Sequence, residues 1–198
     1  MKIRELFSGK VFTFSNFLTS ARVAAIPVIV YYMYLENSTG LDKYRYYQAG
    51  YFGIVILTDF FDGFIARAFN QVSKLGQFLD PVADKICLIV LGSSLVYYKG
   101  YPLWALIIVF FREIFIVTGA CLLFYRRDVE VKPSIIGKIS VACMALSAMI
   151  FLLSVEYPIV PGITVKDLSV ALILIFYIPG SVLYVKNYSS YYRRNKEV

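Results

Sequence analysis

The sequence predicts an all-α integral membrane protein with six transmembrane helices, on three observations. Of its 198 residues 59% are hydrophobic and only 17% are charged, against roughly 45–50% and about 25% in an ordinary soluble domain. Apolar runs approaching or exceeding the roughly 20 residues that cross a bilayer as a helix follow one another closely from Phe14 to Lys186. Lys and Arg are distributed unevenly between the segments that join those runs.

Hydropathy and breaker residues place the spans at Ser15–Leu35, Tyr46–Arg67, Asp80–Tyr98, Pro102–Tyr125, Ser134–Ser154 and Asp167–Lys186. Basic residues precede the first span, but Arg22 interrupts it and no Ala-x-Ala cleavage pattern follows, so it reads as a retained helix rather than a signal peptide. The connections ENSTGLDK, YKGYP, RRDVEVKP and EYPIVPG carry turn and interface signals. This leaves no room for a soluble domain: the expectation is one membrane domain over residues 1–198, with a short cytoplasmic segment 1–14 and a tail 187–198.

Lys2, Arg4, Lys10, Arg67, Lys74, Arg126, Arg127, Lys132, Lys138, Lys186, Arg193, Arg194 and Lys196 fall on the side of both termini, whereas Lys43, Arg45, Lys99 and Lys166 fall on the other. The positive-inside rule therefore puts both termini, and the loop 68–79, in the cytoplasm. The net charge of +7 flanks apolar spans instead of forming one basic face, which favours anionic headgroups and argues against nucleic acid. Tyrosines at Tyr31-Tyr32, Tyr44–Tyr47, Tyr97-Tyr98 and Tyr188–Tyr192 sit near span ends, as interfacial anchors do.

The chain has no histidine, which removes histidine-based ligation and acid–base chemistry. Cys87, Cys121 and Cys143 lie in apolar segments without CxxC spacing, so neither a disulfide framework nor a thiolate metal site is indicated. Chemistry concentrates instead in TDFFDGFIARAFNQVSKLGQFLDPVADK. Asp59 and Asp62 are three apart and Asp80 and Asp84 four apart, so on helices each pair shares a face. Four pooled carboxylates in a low-dielectric setting must either protonate or hold cations. An all-oxygen set favours Mg2+, Mn2+ or Ca2+ over zinc or copper.

Gly63, Ala66 and Gly76 clear space for a ligand to approach the backbone, and Arg67 offers a planar fork suited to phosphate. Carboxylate-bound metal beside a diphosphate-sized anion site is the equipment of transfer at phosphorus, in which a carboxylate can take the proton of an attacking hydroxyl. A lone aspartate near a span end reads as a helix cap, but four at this spacing with a following arginine read as a site. An ion pathway is the rival class; the position of all four aspartates at the cytoplasmic edge, with no comparable acidic residues deeper in other spans, argues against it.

The pattern Asp59-x2-Asp62-Gly63-x2-Ala66-Arg67-x8-Gly76-x3-Asp80-x3-Asp84 resembles, at all eight fixed positions, the signature of the CDP-alcohol phosphotransferase family of membrane enzymes. The resemblance implies a six-helix fold, commonly homodimeric, whose polar active-site cavity opens to the cytoplasm. It also implies a Mg2+- or Mn2+-dependent reaction in which an alcohol displaces CMP from a CDP-linked donor. Carried over, Asp59, Asp62, Asp80 and Asp84 hold a two-metal site, and Asp84 is the catalytic general base. Asp62, Gly63, Ala66, Arg67, Ser73 and Gly76, with Asn16 and Thr19 of the first span, contact the donor.

Within the family, SNFLTSARVAAIPVIV, FREIFIVTG and KPSIIGK most resemble phosphatidylglycerophosphate synthases, which implies CDP-diacylglycerol as donor and sn-glycerol 3-phosphate as acceptor in phospholipid biosynthesis at the plasma or inner membrane. A cardiolipin synthase, with phosphatidylglycerol as acceptor, is the alternative. The usual synthase pattern places a further arginine after REI, where this chain has Thr118-Gly119-Ala120. An anionic acceptor needs cations: Arg112, costly within an apolar span unless it serves a site or an ion pair, is the first candidate. Glu113 beside it is expected to point elsewhere. Lys138 is the second candidate, against snorkelling toward headgroups. Lys85 reads as a partner of the carboxylates, and Arg22 either faces donor phosphates or snorkels.

Overall fold

The protein is described by a computed structural model over residues 14–69, 74–127 and 135–194, with side chains described within 19–58, 83–116, 118 and 135–182. Six helices run in chain order: α1 (Phe14–Thr39), α2 (Lys43–Phe69), α3 (Lys74–Lys99), α4 (Leu103–Arg127), α5 (Ile135–Leu152) and α6 (Val165–Arg194). A two-stranded antiparallel hairpin, β1 (Pro158–Val160) and β2 (Ile163–Thr164), joins the last two. Each expected span overlaps a helix of its own, although the fourth begins one residue before its helix, at Pro102, and the fifth runs past its helix to Ser154. Most helices outrun their spans, because apolarity marks only the stretch suited to lipid while backbone hydrogen bonding continues into polar sequence. Among the described residues Ile135–Leu152 and Val165–Val182 are long and apolar enough to cross a membrane by length and composition.

The chain divides into two compact units, residues 1–100 and 101–198. In the first, α1 packs against both α2 and α3. Its buried stripe is Thr19, Arg22, Ile26, Ile29, Met33 and Glu36, spaced alternately three and four apart, which keeps one face of a helix turned inward. Ile29 and Met33 are fully buried. Opposite them α2 buries Gln48, Phe52 and Val55, and α3 buries Ala83, Leu91, Ser94 and Leu95. Gly40 and Gly100, at φ 68° and 69°, end α1 and α3 in the left-handed conformation glycine adopts without strain.

The α1–α2 turn is lined with aromatic rings. Tyr32 sits 6.0, 5.4 and 5.7 Å from the rings of Tyr44, Tyr47 and Tyr51, while Tyr31, Tyr46 and Tyr97 are exposed. Amphipathic rings at a helix end suit the headgroup layer.

In the second unit α6 packs against α5 and α4. Small residues line the contact: Ser147 and Ser169 are buried and share a hydrogen bond of 2.9 Å, and Gly180 lies beside Ile136 and Ser140. Small side chains allow the close backbone approach that holds helices together in lipid, where apolar burial gives little drive. Ala105 and Val109 of α4, Phe151 and Leu152 of α5, and Val170, Ile173 and Tyr177 of α6 fill the interior. Outward faces in both units carry Ile54, Leu57, Ile86, Phe111, Phe115, Ile175 and Ile178, an apolar exterior unlike that of a soluble protein.

The segment expected as a plain loop after the fifth span contains the hairpin. Pro161 and Gly162 turn the chain, with Gly162 at φ 85°. Thr164 then caps α6 in a capping box: the backbone N–H and hydroxyl of Thr164 donate to Asp167 Oδ2 at 2.9 and 2.7 Å, and Asp167 N–H donates back to the Thr164 hydroxyl at 3.3 Å.

Candidate functional site

Asp59, Asp62, Gly63, Ala66 and Arg67 occupy the last turns of α2, and Gly76, Asp80 and Asp84 the first turns of α3. Both carboxylate pairs therefore fall within continuous helix, where spacings of three and four put each pair on one face. Asn16 and Thr19 lie in the first turns of α1, the helix that packs against both signature-bearing helices. Ser73, in the connection 70–73, lies outside the described residues, as do the side chains of Asn16, Asp59, Asp62, Ala66, Arg67 and Asp80.

Asp84, Thr19, Arg22 and Lys85 carry described side chains. Thr19 is 7% exposed and faces inward on α1. Arg22, one turn further along the same stripe, is 8% exposed, and its Nη1 donates to Asp84 Oδ1 at 2.5 Å. The Asp84 side chain is 48% exposed, so an enclosed guanidinium grips an accessible carboxylate. Snorkelling of Arg22 is thereby corrected: the cation is turned into the unit, because a carboxylate across the α1–α3 contact supplies the counter-charge a buried arginine needs. Lys85 is half-buried.

The donor set suits a hard divalent cation. The groups it offers are carboxylate oxygens, and the exposure of Asp84 leaves room for an ion that keeps some of its own waters. Among the described residues no group of three or more His, Cys, Asp or Glu gathers to hold a metal ion; three of the four aspartate side chains lie outside them.

At the other end of the α1 stripe Glu36 collects three donors that sequence reasoning missed: Arg45 Nε and Gln48 Nε2 of α2, each at 2.7 Å, and Lys99 Nζ of α3. Burial alone would raise the Glu36 carboxyl, but hydrogen bonds from Lys99, Arg45 and Gln48 outweigh it and hold it below the usual value. Beside it opens a cleft of about 230 Å3 lined by Met33, Glu36, Asn37, Gly40, Arg45 and Tyr98.

The two acceptor candidates belong to the second unit. Arg112 of α4 is nearly buried, donates from Nη1 to Glu113 Oε1 at 2.7 Å, and lies 4.5 Å from the centre of the Tyr177 ring of α6, whose hydroxyl donates to Glu113 Oε1 at 3.2 Å. The expectation that Glu113 points elsewhere is corrected: both side chains are long enough to meet although their Cβ atoms diverge. Arg112 thus has an ion pair and a cation–π contact of its own. Lys138 of α5 is exposed.

Comparison with known proteins bears on what such a site serves. A family model described as CDP-alcohol phosphatidyltransferase matches residues 12–179. A relative from Rickettsia bellii, named CDP-diacylglycerol–glycerol-3-phosphate 3-phosphatidyltransferase, is 44% identical over 79 residues, covering 38% of this chain and 41% of the relative. One of the same name from Bacillus subtilis is 32% identical over 149 residues, covering 70% and 77%. A Schizosaccharomyces pombe protein, named cardiolipin synthase (CMP-forming) / mitochondrial hydrolase fusion protein, is 30% identical over 186 residues, covering 86% of this chain and 29% of that protein. The chain thus spans about two-fifths of the Rickettsia relative and most of the Bacillus one. With the family model matched across both units and the eight signature positions present, the chain belongs to the CDP-alcohol phosphatidyltransferase family.

Proposed function

We propose that the chain is a phosphatidylglycerophosphate synthase of the plasma or inner membrane. It transfers the phosphatidyl group of CDP-diacylglycerol to the primary hydroxyl of sn-glycerol 3-phosphate and releases CMP. The observation that carries this reading is the complete aspartate signature at the adjoining ends of α2 and α3, in a chain whose relatives from Rickettsia bellii and Bacillus subtilis bear that activity in their names.

Asp59, Asp62, Asp80 and Asp84 would hold Mg2+ or Mn2+ in a two-metal site, which when bound supplies positive charge to the diphosphate and its leaving group. Asn16, Thr19, Asp62, Gly63, Ala66, Arg67, Ser73 and Gly76 hold the cytidine and phosphates of the donor. The acceptor hydroxyl oxygen forms a bond to the phosphatidyl phosphorus, its proton passes to Asp84, and the bond to CMP breaks with the electron pair leaving on CMP. Arg112 and Lys138 are the acceptor cations, Arg112 reaching the phosphate by exchanging its Glu113 contact. The chain works as a homodimer, with six spans, both termini in the cytoplasm and the polar cavity open to that side, where diacyl tails stay in lipid while the nucleotide meets water.

Purified protein in nanodiscs with CDP-diacylglycerol and Mg2+ tests this by CMP release, with the lipid product identified by mass. Phosphatidylglycerophosphate formed from sn-glycerol 3-phosphate, and lost on chelation, is expected. Cardiolipin formed only with phosphatidylglycerol would keep the donor chemistry and replace the acceptor, and no CMP with either would sink the reading.

A further inference from the structure

We propose that Arg22 exchanges counter-ions during turnover: it grips the Asp84 carboxylate while the donor is away and moves to the donor's diphosphate on arrival, releasing Asp84. The proposal rests on the donor assignment above. Three observations point to it. Arg22 occupies a position on the α1 stripe where Ile26, Ile29 and Met33 are apolar, so a cation stands where packing alone asks for a hydrocarbon side chain. Its partner lies 62 residues away on another helix and is the fourth aspartate of the signature. The exposures are unequal, 8% for Arg22 and 48% for Asp84, so Arg22 cannot leave for water, and an anion that displaces Asp84 has to come to the guanidinium.

An oxygen engaged by a guanidinium N–H has that lone pair committed and serves poorly as metal ligand or proton acceptor. A carboxylate has a second oxygen, so the competition between Arg22 and a metal ion is chiefly for charge: the guanidinium beside Oδ1 already answers the negative charge that would draw a cation to Asp84. A diphosphate removes the competition, because it offers several anionic oxygens to the five N–H groups of a planar fork where one carboxylate oxygen was before. Helical side chains lean toward the N-terminal turn, so the reach of Arg22 covers the turn that holds Thr19, with Asn16 in register one turn beyond. Both are donor-contact candidates.

The test measures two affinities in the purified, detergent-solubilised protein. Mn2+ binding without nucleotide is followed by electron paramagnetic resonance, and CDP-diacylglycerol binding by equilibrium titration. Arg22→Gln should bind Mn2+ several-fold more tightly, since a competitor for Asp84 is gone, and CDP-diacylglycerol roughly tenfold more weakly, as loss of a charge-assisted contact predicts. Arg22→Lys should fall between. A clamp that only joins α1 to α3 would weaken both affinities together, and that result, or no change in either, overturns the proposal. If Arg22→Gln fails to fold, Asp84→Asn decides: with chelator present it should bind CDP-diacylglycerol more tightly than wild type, because Arg22 no longer has to be detached, and equal or weaker binding overturns the exchange. Wild-type protein that binds no CDP-diacylglycerol would overturn the donor assignment and the exchange with it. Intact wild-type binding left unchanged by the variants would overturn the exchange alone.

Discussion

At the scale of single residues, charge in this chain is placed where another residue can answer it. Glu36 is 12% exposed and Lys99 4%, and their contact is reinforced by Arg45 and Gln48. Because the carboxyl of Glu36 is lower in the folded protein than its ordinary 4.5, its stabilising contribution is complete above that value and is lost as pH falls through the lowered one. Glu36→Gln should cost about 2–3 kcal/mol near neutrality, since it leaves the enclosed Lys99 without its carboxylate. Thermal unfolding of both proteins in detergent checks this: the gap between them should narrow below about pH 4.5 and stay constant above it. An equal gap across the acid range would remove the charge as the cause. Arg112 follows the same logic in another place. Glu113 pairs with its Nη1 and the Tyr177 ring lies beside the guanidinium, while its Nε is buried with no hydrogen-bond partner among the described residues, so the acceptor proposed above would meet a cation that is only partly engaged.

At the scale of elements, the helices were readable from the sequence and their ends were not. Apolar runs marked all six, but ENST after Leu35 looked like the start of a loop, although α1 continues through it to Thr39. The error hid Glu36, which is helical and completes the buried stripe. The three-four spacing from Thr19 to Met33 was visible in the sequence and needed only one further step to include it. Pairing of Arg22 with Asp84 had no local signal, since it arises from the packing of helices far apart in the chain. The aspartate signature could be read as a pattern, whereas its geometry depends on how α2 and α3 each pack against α1. At the start of α6 the signals were plain in hindsight, with Thr-x-x-Asp after Pro-Gly. Thr164→Ala should remove the cap and lower stability by about 1 kcal/mol, seen as a small fall in melting temperature. Asp167→Ala alone should produce most of the same loss, and full stability in both variants would show the capping box to be idle.

At the scale of the whole molecule, the proposed topology follows from where the basic residues lie. In a background lacking Cys87, Cys121 and Cys143, a membrane-impermeant maleimide should label Ser38→Cys and Val160→Cys in intact cells, and Lys196→Cys only after permeabilisation. The reverse pattern would invert the chain in the membrane. The α1 stripe sets a further constraint. Arg22 and Glu36 are 14 positions apart, which at 1.5 Å per residue is about 21 Å along the helix axis. Under the proposed topology that distance falls short of the roughly 30 Å hydrocarbon core, so the positive and the negative mark on α1 would together demand a thin stretch of bilayer. Sliding the helix by a turn in either direction would carry one of the two marks deeper into hydrocarbon. A span this short is met by lipid thinning around the chain, and in that topology Asp84, fastened to the positive mark, would share its level in the thinned layer.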